Sequence, residues 1–590
     1  MVHGYKCFEW WRIMWSCLPL SYFWQVVSIT NPLMFQFKPS HDQPTSWSKF
    51  TVAGLAALWM ATVSNVSLWQ QLWATPEVGG WRGVGFMVLF GVAIAAVLFA
   101  ALSLLAWPWL FKFITAVLLV TAACSSHFML SYGIVIDAHM LVNVMETDVR
   151  EAQDLLSWRL VLVVLGLGVL PALWVVTRQT RHKPWLQSVW RNLLVGSAGL
   201  AVALLAALLV FQDLSSTMRN HNQLRYLINP LNSVYATTRV VMNAMPHKQL
   251  PLQLVGKDAQ LGASYNVASK PLLMVLVLGE TGRAANWQLG GYERETNPEL
   301  ALLKQRGELQ YYSDVTSCGT STAASLPCMF SAMGKAAFDN AGAPAEDLLD
   351  VLQHAGLAVL WVDNQSGCKG ACARVPTVDT RDSNHPELCR DGECLDMVML
   401  SDLDQHIANL PTEQRQRGVV VVLHQMGSHG PAYYKRSPSS QKSFLPECTS
   451  TALQSCDRQA IVNAYDNTIL YTDYFLAQTI AWLKARSNAS DTALWYVSDH
   501  GESLGDNGLY LHGLPYSFAP REQKHVPQIT WLSQGFQARV GMDLQCLSTQ
   551  QPLAWSHDNL FHSMLGLADV HTTDYQPEMD ITAPCRANLK

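Results

Sequence analysis

The apolar residues of the chain are concentrated in long runs within its first 215 residues. Five of these runs are nearly free of charged side chains, and each has about the 20 residues that a helix needs to cross a bilayer. They are Phe50–Trp73, Val84–Trp107, Trp109–Ile136, Trp158–Thr177 and Leu193–Phe211. A helix in a soluble core would show a polar face at helical spacing, and these runs show none. The pattern therefore predicts five membrane-spanning helices.

After Pro271 the pattern changes to short apolar runs that alternate with amphipathic segments such as Asp457–Arg486. The runs that predict strands are residues 272–279, 309–315, 357–363, 418–424, 493–499 and 528–532. Strands that are almost wholly Val and Leu and are separated by helices indicate a parallel sheet covered on both faces. Ligands of such α/β sheets bind at the carboxyl ends of the strands. The polar residues that directly follow these runs are therefore the first candidates for a functional site.

Composition agrees with a membrane half followed by a soluble half. Of 590 residues, 49% are hydrophobic and only 14% are charged. We expect a cytoplasmic segment at 1–49, a transmembrane domain at 50–212, a bridging segment at 213–250 and a periplasmic catalytic domain at 251–590. Residues 1–33 lack the charged start and the cleavage site of a signal peptide, and Met34 is an alternative start.

The charges between the spans predict the orientation of the membrane half. Loops that hold Lys and Arg stay in the cytoplasm. The basic residues between the fourth and fifth spans are Arg178, Arg181, Lys183 and Arg191. The loop between the third and fourth spans is acidic, with Asp137, Glu146, Asp148, Glu151 and Asp154. Five spans that start in the cytoplasm then place everything after about Asp213 outside.

Cysteine usage supports the same placement. Of 13 cysteines, ten follow residue 300, and eight of these form close pairs in the sequence. The pairs are Cys318 with Cys328, Cys368 with Cys372, Cys389 with Cys394, and Cys448 with Cys456. Paired cysteines can also bind zinc, but these spacings do not repeat a CxxC pattern, so we interpret them as disulfides of an oxidising compartment. Cys546 and Cys585 are a fifth candidate pair.

Two of the predicted strands end in residues that can bind a metal ion. Glu280 follows the run 272–279, and Asp499 ends the run 493–499 with His500 directly after it. A carboxylate from one strand and an Asp-His pair from another are the oxygen and imidazole ligands that zinc prefers. The alternative is that these are ordinary polar loop residues. Their common position at the ends of hydrophobic strands favours a metal site.

A nucleophile can come from the segment SCGTSTAASLPCMFS, residues 317–331. A strand leads into this segment and a helix can start within it, so a hydroxyl at the turn would meet the helix N-terminus, which favours phosphate. A metal ion would lower the pKa of that hydroxyl. The spacing does not choose between Thr320, Ser321 and Thr322. The two flanking cysteines either hold the nucleophile in place or only staple a surface loop.

Four segments of the chain resemble the lipid A phosphoethanolamine transferases, a family that includes the mobile colistin resistance enzymes. The segments are residues 278–300, 318–331, 424–438 and 498–520. The resemblance implies a five-span α-helical membrane domain followed by an α/β alkaline-phosphatase-like (sulfatase-like) domain. It implies zinc (Zn2+) bound by Glu280, Thr322, Asp499 and His500, with Thr322, the second threonine of CGTST, as the nucleophile.

The resemblance also assigns residues around this centre. His424, His429 and His512 match histidines that line the site and either bind a second zinc or transfer protons. Lys369 and Thr320 match residues beside the phosphate. Asn143, Thr147 and Glu151 match polar residues of the loop after the third span, and their spacing of four predicts one face of a helix. The alternative for this trio is a solvated helix face.

The implied reaction joins the two halves. Thr322 would attack phosphatidylethanolamine, release diacylglycerol and pass the phosphoethanolamine group to a lipid A phosphate, with zinc stabilising charge and a histidine protonating the leaving oxygen.

We expect a monomer of the bacterial inner membrane without a nucleic-acid partner. The alternatives are a transferase for the lipopolysaccharide core or another glycan, a hydrolase of the same superfamily, and a transporter or membrane scaffold. The last is disfavoured because the spans carry almost no ionisable groups.

Overall fold

The computed structural model describes residues 46–587 except 76, 77, 79, 148, 181–183, 245–250, 267, 268, 342, 382, 391 and 392. The predictions for the segment 1–45, including the alternative start, and for Asp148, Arg181 and Lys183 lie outside the described residues.

Five helices in the described part of the chain are long and apolar enough to cross a membrane, as predicted. They are Lys49–Trp73, Gly83–Leu104, Leu110–Tyr132, Trp158–Thr177 and Trp185–Leu209. The third ends before the predicted Ile136 because Gly133 adopts a left-handed conformation (φ 71°) that caps it. A side chain there would also collide with Leu509 of the soluble half, since a Cβ would lie 2.8 Å from its Cδ2. Glycine therefore ends the span and permits a close contact.

The predicted start of the fifth span at Leu193 is wrong. The helix begins at Trp185, so Arg191 lies within the helix and not in the preceding loop. Its first two turns hold polar residues such as Asn192, whose side chain accepts a hydrogen bond from Lys49 Nζ at 2.7 Å. A search for long apolar runs does not include these turns, because they contain polar side chains such as Asn192, which is hydrogen-bonded to the first span.

The soluble half is built on an eight-stranded sheet. In chain order its strands are β1 Leu272–Gly279, β2 Leu309–Thr316, β3 Ala358–Asp363, β4 Thr377–Asp379, β5 Gly418–His424, β6 Asp491–Ser498, β7 His525–Leu532 and β8 Ala554–Ser556. In the sheet they follow the order β8-β2-β7-β6-β1-β5-β3-β4. Among the described residues, three two-stranded sheets accompany it: Gln260–Leu261 with Val570–His571, Cys389–Arg390 with Glu393–Cys394, and Ser503–Asp506 with Leu509–Leu511.

The sheet is mixed, and the prediction of a parallel sheet is wrong for one strand. β7 runs antiparallel to both of its neighbours, β2 and β6, whereas the other strand pairs are parallel. The connection from β6 to β7 contains the hairpin Ser503–Leu511 but no crossover helix. The chain therefore stays at the carboxyl end of β6, and the next strand has to run back from that end.

Both faces of the sheet are buried, which explains its continuous apolar strands. Alternate residues of β1 enter two different cores: Met274 and Leu276 pack in one, and Val275 and Val277 in the other. The helices of the soluble half are Pro298–Gln305, Thr322–Met329, Lys335–Phe338, Leu348–His354, Val398–Ser401, Leu403–Ala408, Thr412–Arg417, Arg458–Arg486, Gln534–Val540, Leu544–Gln550 and Leu560–Leu567. The longest, Arg458–Arg486, lies within the predicted amphipathic segment, and the Asp457 side chain caps it by accepting from the Gln459 amide.

Residues 133–157, here called the membrane loop, connect the third and fourth spans and contact the soluble half. The loop contains the helices Ala138–Glu146 and Val149–Leu155. The first of these packs against the helix Thr322–Met329. Met140 also lies over Gly513 (φ 86°), where an added Cβ would be 2.5 Å from Met140 Cε. After the fifth span, the helices Phe211–Asn220, Asn222–Leu227 (3-10) and Leu231–Ala244 lead to the soluble half.

Candidate active site

The register of the central strands brings the candidate metal ligands together. β1 and β6 pair in parallel with Gly279 opposite Ser498, so that Glu280 and Asp499 are the next residues on adjacent strands. The Asp499 amide donates to the Gly279 carbonyl at 2.9 Å. Glu280, Asp499 and His500 are all buried, with at most 1% of each residue exposed. The prediction that these residues meet at the carboxyl edge of the sheet is confirmed.

Thr322 completes this cluster from a helix terminus. Ser321 has an extended backbone and precedes the helix Thr322–Met329, so Thr322 is the first helical residue. Its Oγ1 donates to Glu280 Oε2 at 3.0 Å and lies 3.4 Å from His500 Nε2. At this position a bound phosphate would face the helix N-terminus, whose dipole favours negative charge.

The cluster has the donor set of a cation site. One ligand atom from each of Glu280, Asp499 and His500 lies within 4.8 Å of the others. Asp499 Oδ2 is buried and forms no hydrogen bond among the described residues, although His500 Nε2 lies 3.3 Å away. A buried carboxylate oxygen without a partner is costly. Two carboxylates, an imidazole and a hydroxyl are therefore a donor set that fits a divalent metal ion.

The electrostatics of the cluster show how strongly its charges interact. Burial opposes ionisation of Glu280, but the hydrogen bond and charge of His500 outweigh burial and lower the pKa of Glu280. Burial, together with repulsion from Glu280, raises the pKa of Asp499 to about 7. Burial also disfavours charged His500, yet Asp499 and Glu280 raise its pKa to about 10. Two closely spaced carboxylates thus require a positive charge between them.

His424 lies at the end of β5, beside the candidate metal ligands Glu280, Asp499 and His500, here called the metal cluster. It is opposite Asp363 of β3, and its Nδ1 lies 3.2 Å from Asp363 Oδ2. That carboxylate is itself held by Trp361 Nε1 at 2.7 Å. Burial lowers the pKa of His424, but the charge of Asp363 outweighs burial and raises it. Asp363 thereby fixes the ring orientation, and sequence reasoning missed it because only tertiary pairing brings it to His424.

His429 and His512 form a second histidine pair at the same edge. The His512 ring lies 4.4 Å from the His500 ring and 5.6 Å from the His429 ring, between centroids. His512 Nδ1 is 3.3 Å from Glu502 Oε2. Burial, followed by the positive charge of His500, lowers the pKa of His512 to about 3. A neutral imidazole is therefore held next to the metal cluster.

The loop between His424 and His429 passes directly over Glu280. Gly427 has φ 53°, and a Cβ on it would lie 2.7 Å from the Glu280 carbonyl oxygen. Next to it, the Ser428 amide donates to that same carbonyl at 2.9 Å. Both the left-handed conformation and the close backbone approach require glycine here. The loop thus fixes His429 relative to the metal cluster.

Buried groups that sequence reasoning missed hold residues 317–321, the loop that leads to Thr322, here called the nucleophile loop after the predicted role of Thr322. His557 Nδ1 accepts from the Cys318 amide at 3.0 Å, and its Nε2 lies 3.0 Å from the Ser498 carbonyl oxygen. Ser325 Oγ accepts from the Gly319 amide at 3.1 Å and donates to the Asp499 carbonyl. His557 therefore bridges the nucleophile loop and the end of β6. The sequence offered no signal for it, since a lone histidine in an ordinary context is unremarkable.

Thr320 and Lys369 each join two segments that are distant in the sequence. Thr320 Oγ1 donates to the Leu514 carbonyl at 2.6 Å, which joins the nucleophile loop to the loop that carries His512. Lys369 Nζ donates to the carbonyl of Glu146 at 3.1 Å, at the end of the first membrane-loop helix. Lys369 thus lies at the contact between the membrane loop and the soluble half.

The prediction that Asn143, Thr147 and Glu151 share one helix face is wrong. The first membrane-loop helix ends at Glu146, and Thr147 is its extended C-cap residue (ψ 132°). The Thr147 hydroxyl and amide both donate to the Asn143 carbonyl, at 2.8 and 2.9 Å. Glu151 belongs to the next helix, Val149–Leu155, and its side chain lies outside the description. A spacing of four cannot reveal a helix end between its members.

Disulfides brace the loops around the site. The structure contains Cys318–Cys328, Cys368–Cys372, Cys389–Cys394, Cys448–Cys456 and Cys546–Cys585. Cys318–Cys328 encloses Thr322. Cys124 of the third span is a free cysteine.

Comparison with known proteins assigns the family. A family model described as phosphoethanolamine transferase EptA/EptB matches residues 94–245, and a sulfatase model matches residues 273–570. Phosphoethanolamine transferase EptA of Salmonella typhimurium is 39% identical over 540 residues, which cover 90% of this chain and 96% of the relative. The chain belongs to the phosphoethanolamine transferase family. Phosphatidylethanolamine transferase Mcr-1 of Escherichia coli is 35% identical over 539 residues, which cover 89% of this chain and 96% of that relative.

The solved structures agree with this family. The integral membrane lipooligosaccharide phosphoethanolamine transferase A (EptA) of Neisseria meningitidis superposes with a TM-score of 0.87 at 35% identity, covering 92% of this chain and all of that one. The five-span membrane half and the sulfatase-like soluble half are thus both confirmed. The chain is a multi-pass protein of the bacterial inner membrane. Its disulfide-bearing catalytic domain lies in the periplasm with the membrane loop.

Proposed function

We propose that this phosphoethanolamine transferase moves phosphoethanolamine from phosphatidylethanolamine to a phosphate of lipid A through a covalent intermediate on Thr322. The observation that carries the proposal is the position of Thr322 Oγ1, 3.0 Å from Glu280 Oε2 at the start of a helix. A buried hydroxyl is there directed into a charged cluster, and a phosphate can accept from the helix N-terminus.

Glu280, Asp499, His500 and Thr322 would hold the zinc ion. When bound, zinc would lower the pKa of the Thr322 hydroxyl and offset the negative charge of the phosphoryl group. The unpartnered Asp499 Oδ2 supports this assignment. His424, His429 and His512 surround the cluster and, in the proposal, carry protons or contact the substrate.

In the first step, Thr322 Oγ attacks the phosphorus of phosphatidylethanolamine. The threonine–phosphorus bond forms as the bond to the glycerol oxygen breaks. The Thr322 hydroxyl gives up its proton to a group of the site, and the departing glycerol oxygen takes one proton from a site histidine, so diacylglycerol leaves neutral and no net proton is gained or lost. His424 suits this proton transfer, because Asp363 Oδ2 lies 3.2 Å from its Nδ1 and raises its pKa, whereas the lowered pKa of His512 disfavours that ring as a proton donor. In the second step, a phosphate oxygen of lipid A attacks the same phosphorus and frees Thr322. The product carries an added amine, which lowers the negative surface charge that polymyxin and other cationic peptides bind.

An alternative acceptor is a sugar of the lipopolysaccharide core. Kdo(2)-lipid A phosphoethanolamine 7''-transferase of Salmonella typhimurium is also a relative, but at 24% identity it is more distant than the EptA of the same organism at 39%. The identities therefore favour lipid A as the acceptor.

Mass spectrometry of lipopolysaccharide tests the acceptor. Cells that express the chain should yield lipid A with an added phosphoethanolamine group, and a Thr322→Ala strain should yield unmodified lipid A. Phosphoethanolamine found only on core sugars would contradict the lipid A assignment and support the alternative.

A further inference from the structure

The guanidinium of Arg436 joins three segments that are distant in the sequence. Its side chain is only 3% exposed. Nε donates to the carbonyl of His429 at 2.9 Å, and Nη1 donates to Glu393 Oε2 at 2.6 Å. Nη2 donates to Asp154 Oδ2 at 3.3 Å. One contact thus reaches a histidine loop of the active site, one the hairpin closed by Cys389–Cys394, and one the membrane loop.

The orientation of Arg436 depends on Asp154. A buried guanidinium is stable only when its charge is paired and its N–H groups are satisfied, and removing one carboxylate leaves that charge undercompensated. Asp154 is itself 8% exposed and accepts from Lys435 Nζ at 2.6 Å as well. The carboxylate from the membrane loop is therefore shared by two adjacent cations of the soluble half.

The hydrogen bond from Arg436 to His429 connects the orientation of Arg436 to the active site. The His429 amide donates to the Met426 carbonyl at 3.2 Å on one side. On the other side, the Arg436 bond fixes the His429 carbonyl, which determines where the imidazole lies beside His512. A charge-assisted hydrogen bond to a carbonyl is strong enough to hold a loop in one position.

We propose that Arg436 is a positioning residue for His429 and that Asp154 is its partner from the membrane loop. Docking of the membrane loop onto the soluble half then sets the geometry of the active-site histidine. This inference rests on the proposed transferase function and deepens it, because it assigns a contribution of the membrane half to the catalytic centre.

The test is a double-mutant cycle in the full-length chain, with transfer from phosphatidylethanolamine vesicles as the readout. Arg436→Gln and Asp154→Asn should each lower kcat/KM by about tenfold or more, since displacement of a reacting group by about 1 Å can cost on the order of a hundredfold. In a His429→Ala background, either change should cost less than about twofold. A role in general folding or docking would produce the same loss in both backgrounds.

Arg539→Gln is the matched control. Arg539 is equally buried, at 3% exposure, and donates to Asp491 and to the Lys270 carbonyl at the opposite end of the sheet. Its replacement should leave kcat/KM within about twofold of wild type at a similar cost in melting temperature. If Arg436→Gln does not fold, Asp154→Asn tests the proposal instead. Asparagine has the same size and shape as aspartate, so this change removes only the negative charge.

Three results would overturn the proposal: equal losses in both backgrounds, an Asp154→Asn enzyme with wild-type kcat/KM, or a loss in Arg539→Gln as large as in Arg436→Gln. The proposed function fails separately, by an absence of transfer in the wild-type chain.

Discussion

At the residue scale, the proposed zinc site is assembled from positions where the backbone changes direction. Glu280 directly follows β1, Asp499 and His500 directly follow β6, and Thr322 opens a helix. Each side chain is held by neighbours on strands or on a helix terminus, so the fold itself positions the cluster. Asp499 Oδ1, for example, accepts from the backbone amides of Thr281 and His500 at 3.1 and 2.7 Å.

Zinc content tests this cluster directly. Asp499→Asn removes the carboxylate charge while preserving the side-chain shape, and we expect it to lower zinc in the purified protein well below about one ion per chain. Asp491→Asn is the matched control, because Asp491 is a buried aspartate at the other end of the same strand. Elemental analysis of both variants is the measurement. Equal zinc in the two variants, or full transfer activity after metal removal, would count against the site.

The buried His557 predicts acid sensitivity of the fold. Burial lowers its pKa from 6.5 to about 3. Between these two values the unfolded chain binds a proton that the folded chain does not, so the free energy of unfolding decreases as the pH falls through this range. His557→Gln retains a donor for the Ser498 carbonyl and an acceptor for the Cys318 amide, but it cannot titrate. Its melting temperature should therefore fall less between pH 7 and pH 4 than that of the wild type.

Exposed His571 provides the comparison for this measurement, because its side chain is 65% exposed. His571→Gln should reproduce the pH dependence of the wild type. A His557→Gln protein with the same slope as His571→Gln would show that His557 does not contribute to acid sensitivity.

The sequence identified the charged residues of the site but not their supports. Glu280 and Asp499 could be found because each follows a buried apolar run, and such runs mark strand ends. Ser325 and His557 could not, because their roles arise from contacts over long sequence separations. Asp363 also ends an apolar run, but only strand register shows that it meets His424. Thr322 could be chosen over Thr320 and Ser321 only through the family resemblance.

At the element scale, the apolar pattern predicted where the strands lie in the sequence but not whether neighbouring strands run parallel or antiparallel. The run 528–532 belongs to β7, but nothing in a buried strand encodes whether it runs parallel or antiparallel to its neighbours. Helix ends were also difficult where a polar residue could be satisfied by a distant partner. The fifth span begins at Trp185 for this reason. The helix that holds Asn143 ends at Glu146 because Thr147 adopts an extended backbone and caps it locally, which a spacing pattern does not show.

The disulfide around the nucleophile should matter more for activity than for stability. Cys318–Cys328 and Cys448–Cys456 close loops of similar separation, 10 and 8 residues. Loss of either should cost about 2–3 kcal/mol of unfolding free energy in the chain-entropy model. Only the first encloses Thr322, and displacement of a nucleophile by about 1 Å can cost on the order of a hundredfold in rate.

The comparison is therefore between two double variants, Cys318→Ser with Cys328→Ser and Cys448→Ser with Cys456→Ser. Their melting temperatures should be similar, while the first loses far more transfer activity. Equal activity losses that track stability alone would mean that the disulfide only staples the loop.

At the scale of the whole molecule, the membrane half and the soluble half meet through the membrane loop. Met140 packs on Gly513, Lys369 binds the Glu146 carbonyl, and Asp154 pairs with Arg436. The donor is a membrane lipid, so an enzyme that transfers its headgroup benefits from a site held at the bilayer. The sequence predicted the two halves and their order, but not these contacts, because they depend on tertiary docking. The exact domain boundaries and the monomeric state stay predictions.

The central claim is that Thr322 carries phosphoethanolamine between donor and acceptor. The most direct measurement is mass spectrometry of the full-length protein after incubation with phosphatidylethanolamine vesicles and no lipid A. The wild type should release diacylglycerol and carry phosphoethanolamine on Thr322, and Ser321→Ala should still do so. Thr322→Ala should show neither product while it remains folded. A Thr322→Ala enzyme that still transfers phosphoethanolamine, or an adduct on another residue, would contradict the account.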